Sequence, residues 1–497
     1  MSKTAPNLAL PILRLNSNDA RPLYRQLYEQ LGAAIRAGQL KPGARLPSTR
    51  ALAHELDVSR TTTVEVYRDL AAEGYIESRT GIGTCVTRTL PDRPYQLNVN
   101  RRNQPARAID DRPSQSRHLD LLAELARTPW FAQPGDLRPF ELGTPALAEA
   151  PIKTWARVLA RSARQTPHEA LGALDPVGDR ALREAIAAYL SVARAVRCDA
   201  DQVLITGGGQ AGMALAIALV LTPGDSVWVE EPGYFLAQTA LRMLGARLVP
   251  VPVDDEGLHV SAGCALGPAA RLAVVTPSHQ FPLGVTMSHT RRMALLSWAQ
   301  HSNAWIIEDD YDSEFRYGGR PVPALQGLDD SGRVIYVGTF SKALFPALRL
   351  GFLVVPPALM QSAALQQRVL GSQPGLIEQR AMAAFMDDGY FDRHIRRMRA
   401  LYTERRDCLC EVAAEYLDGL LRFENTHSGL HLAAWLPIGA NDREYTRCAV
   451  QNGVRVYPLS DFRLGDGGRP GVALGFAAFE PRAITGAVQT LARAWAK

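Results

Sequence analysis

Lys342 stands at the centre of the stretch Gly338-Thr339-Phe340-Ser341-Lys342-Ala343-Leu344-Phe345-Pro346-Ala347-Leu348-Arg349. An amine close to two hydroxyls and a guanidinium suits one kind of chemistry, a Schiff base to an aldehyde that also carries a phosphate. Desolvation can activate the amine, while Thr339, Ser341 and Arg349 supply donors for phosphate oxygens. A Ser-Lys pair alone would read as a surface lysine before a loop; the longer pattern points to a cofactor. A second phosphate-binding candidate is Thr206-Gly207-Gly208-Gly209-Gln210-Ala211. It follows an apolar run and opens a helix over 213–221. The amides of Gly208, Gly209 and Gln210 can therefore cradle an anion, although glycine there also serves a tight turn.

These groups need a scaffold that delivers them to one place. The run 334–337 reads as a buried strand, which puts Lys342 just past a strand end. Six more apolar runs, beginning at Val203, Ser226, Leu248, Leu272, Trp305 and Phe352, alternate with helical patterns. Seven strands, mostly parallel, with polar groups at their ends give a three-layer α/β domain. Beyond about residue 385, long helices and shorter strands indicate a smaller C-terminal subdomain. The lysine segment resembles that of fold-type I enzymes that use pyridoxal 5'-phosphate (PLP), and residues 135–497 resemble their aminotransferase-like domain. The resemblance implies that Lys342 carries PLP as a Schiff base. It also implies that Asp309, rather than Asp310, in Glu308-Asp309-Asp310-Tyr311 keeps the pyridine nitrogen protonated, making the ring an electron sink. Tyr311 would bond the ring hydroxyl. Tyr234, in Pro232-Gly233-Tyr234, would stack on the ring, a position that core packing explains nearly as well.

The first part of the chain is built differently. Pro22 suits the first turn of a helix with Leu23, Leu27, Leu31, Ala34 and Ile35 on one face. Ser48 caps a second helix, with Ala51, Leu52 and Leu56 as its stripe. Ser59 caps a third, running through Val64, Tyr67, Leu70 and Ala71 to Gly74. Two short strands around Gly81-Ile82-Gly83 complete a winged helix-turn-helix over 17–87. The third helix opens with short donors and one arginine, as a recognition helix does where it meets base edges and phosphates. Arg60 can bond guanine bidentately, while Arg45 and Arg50 hold the backbone. Charge alone does not require this, since residues 21–86 carry nine Lys or Arg against seven Asp or Glu. A small helical bundle with a solvated polar face would show the same balance. The order of motifs resembles the DNA-binding domain of GntR-type bacterial regulators. By that resemblance Arg50, Ser59, Arg60, Thr61, Thr62, Thr80 and Gly81 occupy contact positions.

Residues 88–134 lose periodicity and are punctuated by Pro91, Pro94, Pro105 and Pro113, as in an extended tether, with a short helix around 121–125. The chain is 497 residues long, 46% hydrophobic and 21% charged, with a net charge of +5, so any basic surface is local. The six cysteines include no Cys-x2-Cys pair to suggest zinc. No basic-then-apolar leader opens the sequence and no uncharged run would span a bilayer, so a reducing cytoplasm is the expected compartment.

A GntR-like winged helix, a tether and an aminotransferase-like domain form the layout of the MocR (GabR-like) regulators. Ser278-His279-Gln280-Phe281-Pro282-Leu283-Gly284 and the segment 308–317 resemble that subfamily in particular. The resemblance implies a homodimer on double-stranded DNA that senses PLP or a small amine or amino acid. Three positions depart from working aminotransferases. Phe281 replaces the usual asparagine against the ring hydroxyl, Ala173 stands where a tyrosine from the second subunit would reach the phosphate, and Ala473 replaces a carboxylate-gripping arginine. They favour sensing over turnover; the alternative is a working aminotransferase with an accessory DNA-binding domain.

Overall fold

The computed structural model describes residues 13–16, 19, 21–79, 83–88, 117–126, 137–172, 175–318, 322–424 and 427–496. The chain divides into two compact units, 1–114 and 115–497.

In the first unit, helices α1 (Leu23–Arg36), α2 (Thr49–Glu55) and α3 (Arg60–Ala72) precede an antiparallel hairpin of β1 (Ile76–Arg79) and β2 (Gly83–Val86). The starts of α2 and α3 follow from their capping serines. Ser48 Oγ accepts from the amide of Ala51 and Ser59 Oγ from that of Thr62, satisfying donors that the helix leaves open. Pro22 is the N-cap of α1 rather than a member of its first turn. Leu27, Leu31, Ile35, Leu52, Val66, Leu70, Ile76 and Val86 form the core. The expected stripe of α3 holds at Tyr67 and Leu70 and fails at Val64 and Ala71, which are exposed. Val64 is 43% exposed, whereas Thr63, Val66, Tyr67 and Leu70 are buried. Valine at 64 satisfied a simple apolar count, but the rotation of α3 is fixed by packing on α1 and α2.

The second unit begins with α4 (Arg117–Ala126), α5 (Ile152–Gln165) and α6 (Arg180–Arg194). An eight-stranded sheet follows, built from β3 (Val203–Thr206), β4 (Ser226–Glu231), β5 (Arg247–Asp254), β6 (Gly257–Leu258), β7 (Leu272–Val275), β8 (Trp305–Asp310), β9 (Val334–Thr339) and β10 (Gly351–Val354). Its order is β3-β10-β9-β8-β7-β4-β5-β6. All seven expected strands are present. The parallel pairs are β5–β4, β4–β7, β7–β8 and β8–β9; β10 runs against both β9 and β3. Side chains alternate between the two faces, as strand geometry requires. Val227, Val229 and Ile307 join the core under α7 (Gly209–Val220) and α8 (Phe235–Met243). Trp228 and Ile306 join the core under α9 (Val260–Leu266) and α10 (His289–His301), where Trp228 stacks on Trp298.

After α11 (Met360–Leu370), α12 (Leu376–Asp387) and the 27-residue α13 (Tyr390–Tyr416), a four-stranded antiparallel sheet is formed by β11 (Arg422–Phe423), β12 (His431–Trp435), β13 (Tyr457–Pro458) and β14 (Gly471–Gly475). Its strand order is β11-β12-β14-β13, and α14 (Asp442–Gln451) and α15 (Pro481–Trp495) complete the chain. Among the described residues, no helix is long and apolar enough to cross a membrane.

Candidate functional site

The carboxyl ends of β8 and β9, the amino end of α7 and the turn into β10 surround a cavity of about 360 Å³. Gly208, Gly209, Gln210, Tyr234, Asp309, Tyr311, Thr339, Ser341, Lys342 and Arg349 all line it. In an α/β sheet this is where a ligand is expected, because loops leaving the strand ends open a crevice there.

At one end the groups are suited to an anion. Gly208 has φ +101°, and α7 begins immediately after it. Opposite, Gly351 comes so close that a Cβ there would lie 2.7 Å from the carbonyl carbon of Gly208. Only glycine allows the first residue of β10 to seat against that loop. Arg349, exposed and in the left-handed region at φ +52°, reaches the same end. Thr339 accepts a hydrogen bond from the amide of Ser341 through Oγ1 (3.2 Å), tightening the turn that carries Lys342.

Lys342 Nζ donates to the carbonyl of Gly143 at 2.6 Å, a contact between residues 199 apart in sequence. Gly143 has φ +67°, and a Cβ on it would come within 2.8 Å of Nζ. Burial lowers the pKa of Lys342, while the charges of Asp312 and Asp309 act in the opposite direction. A buried amine with a depressed pKa is a better nucleophile near neutral pH.

Asp309 and Asp310 leave β8 on opposite faces. Asp309 lines the cavity. Burial pushes its carboxyl up to about 7, reinforced by Asp310, Glu230 and Asp312 and opposed by Lys342. Asp310 instead accepts from Arg194 Nε (2.8 Å) and the Tyr336 hydroxyl (2.6 Å) in an interior ion pair. Tyr311 donates to the carbonyl of His279 (3.0 Å), and its oxygen lies 2.8 Å from His279 Nδ1. That same nitrogen is 3.1 Å from both carboxylate oxygens of Asp312. Tyr234 donates a long hydrogen bond to Gln210 (3.4 Å) and packs edge-on against Phe281.

Sequence reasoning missed His279, Asp312, Gly143 and His431 as parts of the site. His279 and Asp312 belong to the segments 278–284 and 308–317, whose polar residues are the available signal; Gly143 and His431 carry no local signal. Burial holds His431 down to about 3, so its ring is neutral.

In the first unit, Arg45, Arg50, Arg60 and Thr61 are exposed. Ser59 and Thr62 share a hydroxyl contact of 2.8 Å at the start of α3, so part of their capacity is spent on the cap. Arg45 lies over Gly83 of the wing, where an added Cβ would come within 3.4 Å of its Nε. Thr80 and Gly81 lie outside the described residues, as does Ala173.

Two family descriptions match the chain. Residues 23–86 match the gntR family of bacterial regulatory proteins, and residues 140–475 match aminotransferase class I and II, a family that uses PLP. The probable rhizopine catabolism regulatory protein MocR of Rhizobium meliloti is 41% identical over 95% of this chain and 94% of its own length. The chain belongs to the MocR-like GntR regulators. The pyridoxine biosynthesis transcriptional regulator PdxR of Corynebacterium glutamicum is 31% identical, with 95% of this chain and 95% of its own length covered. Among solved structures, a kynurenine aminotransferase of Pyrococcus horikoshii matches with a TM-score of 0.67 and 27% identity, over 80% of this chain and 98% of its own.

Against that background, two departures of this MocR-like chain have a visible environment. Phe281 stands edge-on to Tyr234, Tyr311, His431 and Phe462. Ala473 is fully buried in one apolar cluster with Leu142, Phe281, Tyr457 and Phe462. Arg469, four residues before Ala473, lies over the Trp435 ring and pairs with Glu424 at 3.3 Å. It does not line the cavity.

Proposed function

We propose that this protein is a DNA-binding transcription regulator whose aminotransferase-like domain holds PLP on Lys342 and senses PLP itself or a small amine or amino acid. The observation that carries the reading is convergence. A part-buried lysine, a carboxylate and an anion cradle from three separate chain segments line one cavity, in a chain that also carries a GntR-type helix-turn-helix. The residues fit the cofactor chemically. Amides at the start of α7, the Thr339 and Ser341 hydroxyls and Arg349 would hold the phosphate, and Asp309 would face the ring nitrogen. Bound PLP supplies an aldehyde that condenses with amines and a ring that withdraws electrons.

Around it, the chain's own groups have separate tasks. Gly143 accepts from the Lys342 amine and aims it. Tyr311, held by His279 and Asp312, presents its phenol at the cavity wall. Phe281 and the cluster around Ala473 exclude water from the far side. With alanine at 473, this chain lacks the cation that would grip a carboxylate there, so the site favours capture over repeated transamination. The protein acts as a homodimer, with Arg60 and the start of α3 reading two half-sites, Arg45 and Arg50 holding the phosphate backbone, and Thr80 and Gly81 at further contact positions. An effector regulates it only by binding two dimer conformations unequally.

The test is borohydride reduction of PLP-loaded full-length protein, followed by peptide mapping, together with footprinting upstream of its own gene with and without PLP. Label on Lys342 and a PLP-dependent footprint are expected. Label on another lysine refutes the assignment, and sustained turnover near about 1 s⁻¹ with any amino acid and keto acid would favour the aminotransferase alternative.

A further inference from the structure

Behind Asp309, away from the main cavity, lies a second void of about 20 Å³. Glu230, Gln238, Thr276, Tyr234 and Asp309 are among its walls, and Asp309 and Tyr234 line both spaces. The void exceeds the roughly 10–15 Å³ of probe space that one water needs, and such a water also requires two to four polar partners. Those partners are present. Gln238 is 6% exposed, and its Nε2 has no hydrogen-bond partner among the described residues. Glu230, buried at the end of β4, receives the Thr276 amide (3.2 Å) and hydroxyl (2.6 Å) and Gln280 Nε2 (3.2 Å). Asp309 is close enough for its proton affinity to be raised by the Glu230 charge.

We propose that this void is a one-water site through which Glu230 and Gln238 act on Asp309, making Glu230 a positioning residue for the cofactor's ring nitrogen. Two buried carboxyls near one another do not both ionise readily. Burial pushes Glu230 up to about 7, the same range as Asp309. The groups that bear on Asp309 are Asp310, Glu230 and Asp312, which hold its proton on, and Lys342, which helps to release it. On this account Glu230, which accepts from three donors, is the first of the two to ionise, and its charge holds the proton on Asp309. A ring nitrogen bound there would take the Asp309 proton, leaving the Asp309 carboxylate beside a pyridinium. The step balances with no other reactant. It rests on the reading of the large cavity as a PLP site, but the coupling of Glu230 to Asp309 exists without cofactor.

The experiment uses cofactor-free full-length protein and infrared difference spectroscopy. The Asp309 carboxyl band is assigned by its loss in Asp309→Asn and followed against pH. Glu230→Gln preserves shape but can carry no negative charge, so the Asp309 band is expected to titrate at lower pH. Gln238→Leu removes the donor that anchors the water, and the band is expected to titrate at higher pH. A crystal structure is expected to show one water in the void. Bands unmoved in both variants, with native circular dichroism, would overturn the coupling, and an empty void would overturn the water site. Failure to label Lys342 would strike the cofactor assignment alone and leave the infrared result standing.

Discussion

Asp309→Asn should stabilise the cofactor-free protein at alkaline pH while weakening its hold on PLP. In the folded chain the Asp309 carboxyl is raised from 3.8 to about 7, chiefly by burial. The sign follows from linkage. Between those two values the folded protein keeps a proton that the unfolded chain has released, so this group's contribution falls as pH rises across the window and is level above it. Each pH unit is worth about 1.4 kcal/mol, which would give about 4 kcal/mol at pH 8 for a wholly dry group. Asp309 faces the cavity and is only part-buried, so solvent screening reduces the expected gain to about 1–2 kcal/mol. Denaturant unfolding of the cofactor-free aminotransferase-like unit, wild type against Asp309→Asn, measures it at pH 5 and pH 8. The variant should gain more at pH 8 than at pH 5. In the PLP-loaded state the order reverses, because asparagine cannot offer a charged acceptor to the ring nitrogen. Losing a hydrogen bond to a charged group costs about 1.5–3 kcal/mol, or roughly 10- to 100-fold in affinity. A variant no more stable than wild type at pH 8, or one that binds PLP as tightly, would refute the reasoning.

Three further outcomes are expected. Asp310→Ala should destabilise the large unit by about 3–5 kcal/mol in thermal or denaturant unfolding, because it strands the buried Arg194 guanidinium, whose side chain is 7% exposed. Gly351→Ala should cost about 1–3 kcal/mol and lower PLP affinity in equilibrium dialysis, since its methyl group meets backbone atoms of Gly208 and Gly209 that form the anion cradle. Arg60→Ala should lose about 1–3 kcal/mol on the preferred operator and less on random duplex, read by fluorescence anisotropy; equal losses on both would make Arg60 a phosphate contact.

Local patterns in the sequence were sufficient wherever one residue type satisfies a local physical demand. Ser48 and Ser59 marked helix starts because a hydroxyl there accepts an orphan amide, and the structure has both bonds. Seven apolar runs marked seven strands because a sheet covered on both faces leaves no polar position along its length. The glycine-rich turn after β3 and the lysine segment after β9 followed from strand ends, and they meet because parallel strands deliver their carboxyl ends to the same edge.

What needed the tertiary structure was direction, rotation and partnership. No property of 351–354 alone tells that β10 runs against both its neighbours. Val64 and Val66 are equally apolar, and only the packing of α3 on α1 and α2 turns one outward and the other in. Asp309 and Asp310 are adjacent and chemically identical, so local composition could not divide them; resemblance to fold-type I enzymes chose Asp309. The pleat separates them, sending one carboxyl to the cavity and the other to Arg194. The Gly143 carbonyl that receives Lys342, and the Leu430 amide that joins His279 on Asp312, come from distant segments. Contacts of that length leave no trace in local periodicity, because the residues that make them are chosen by the shape of the finished cavity.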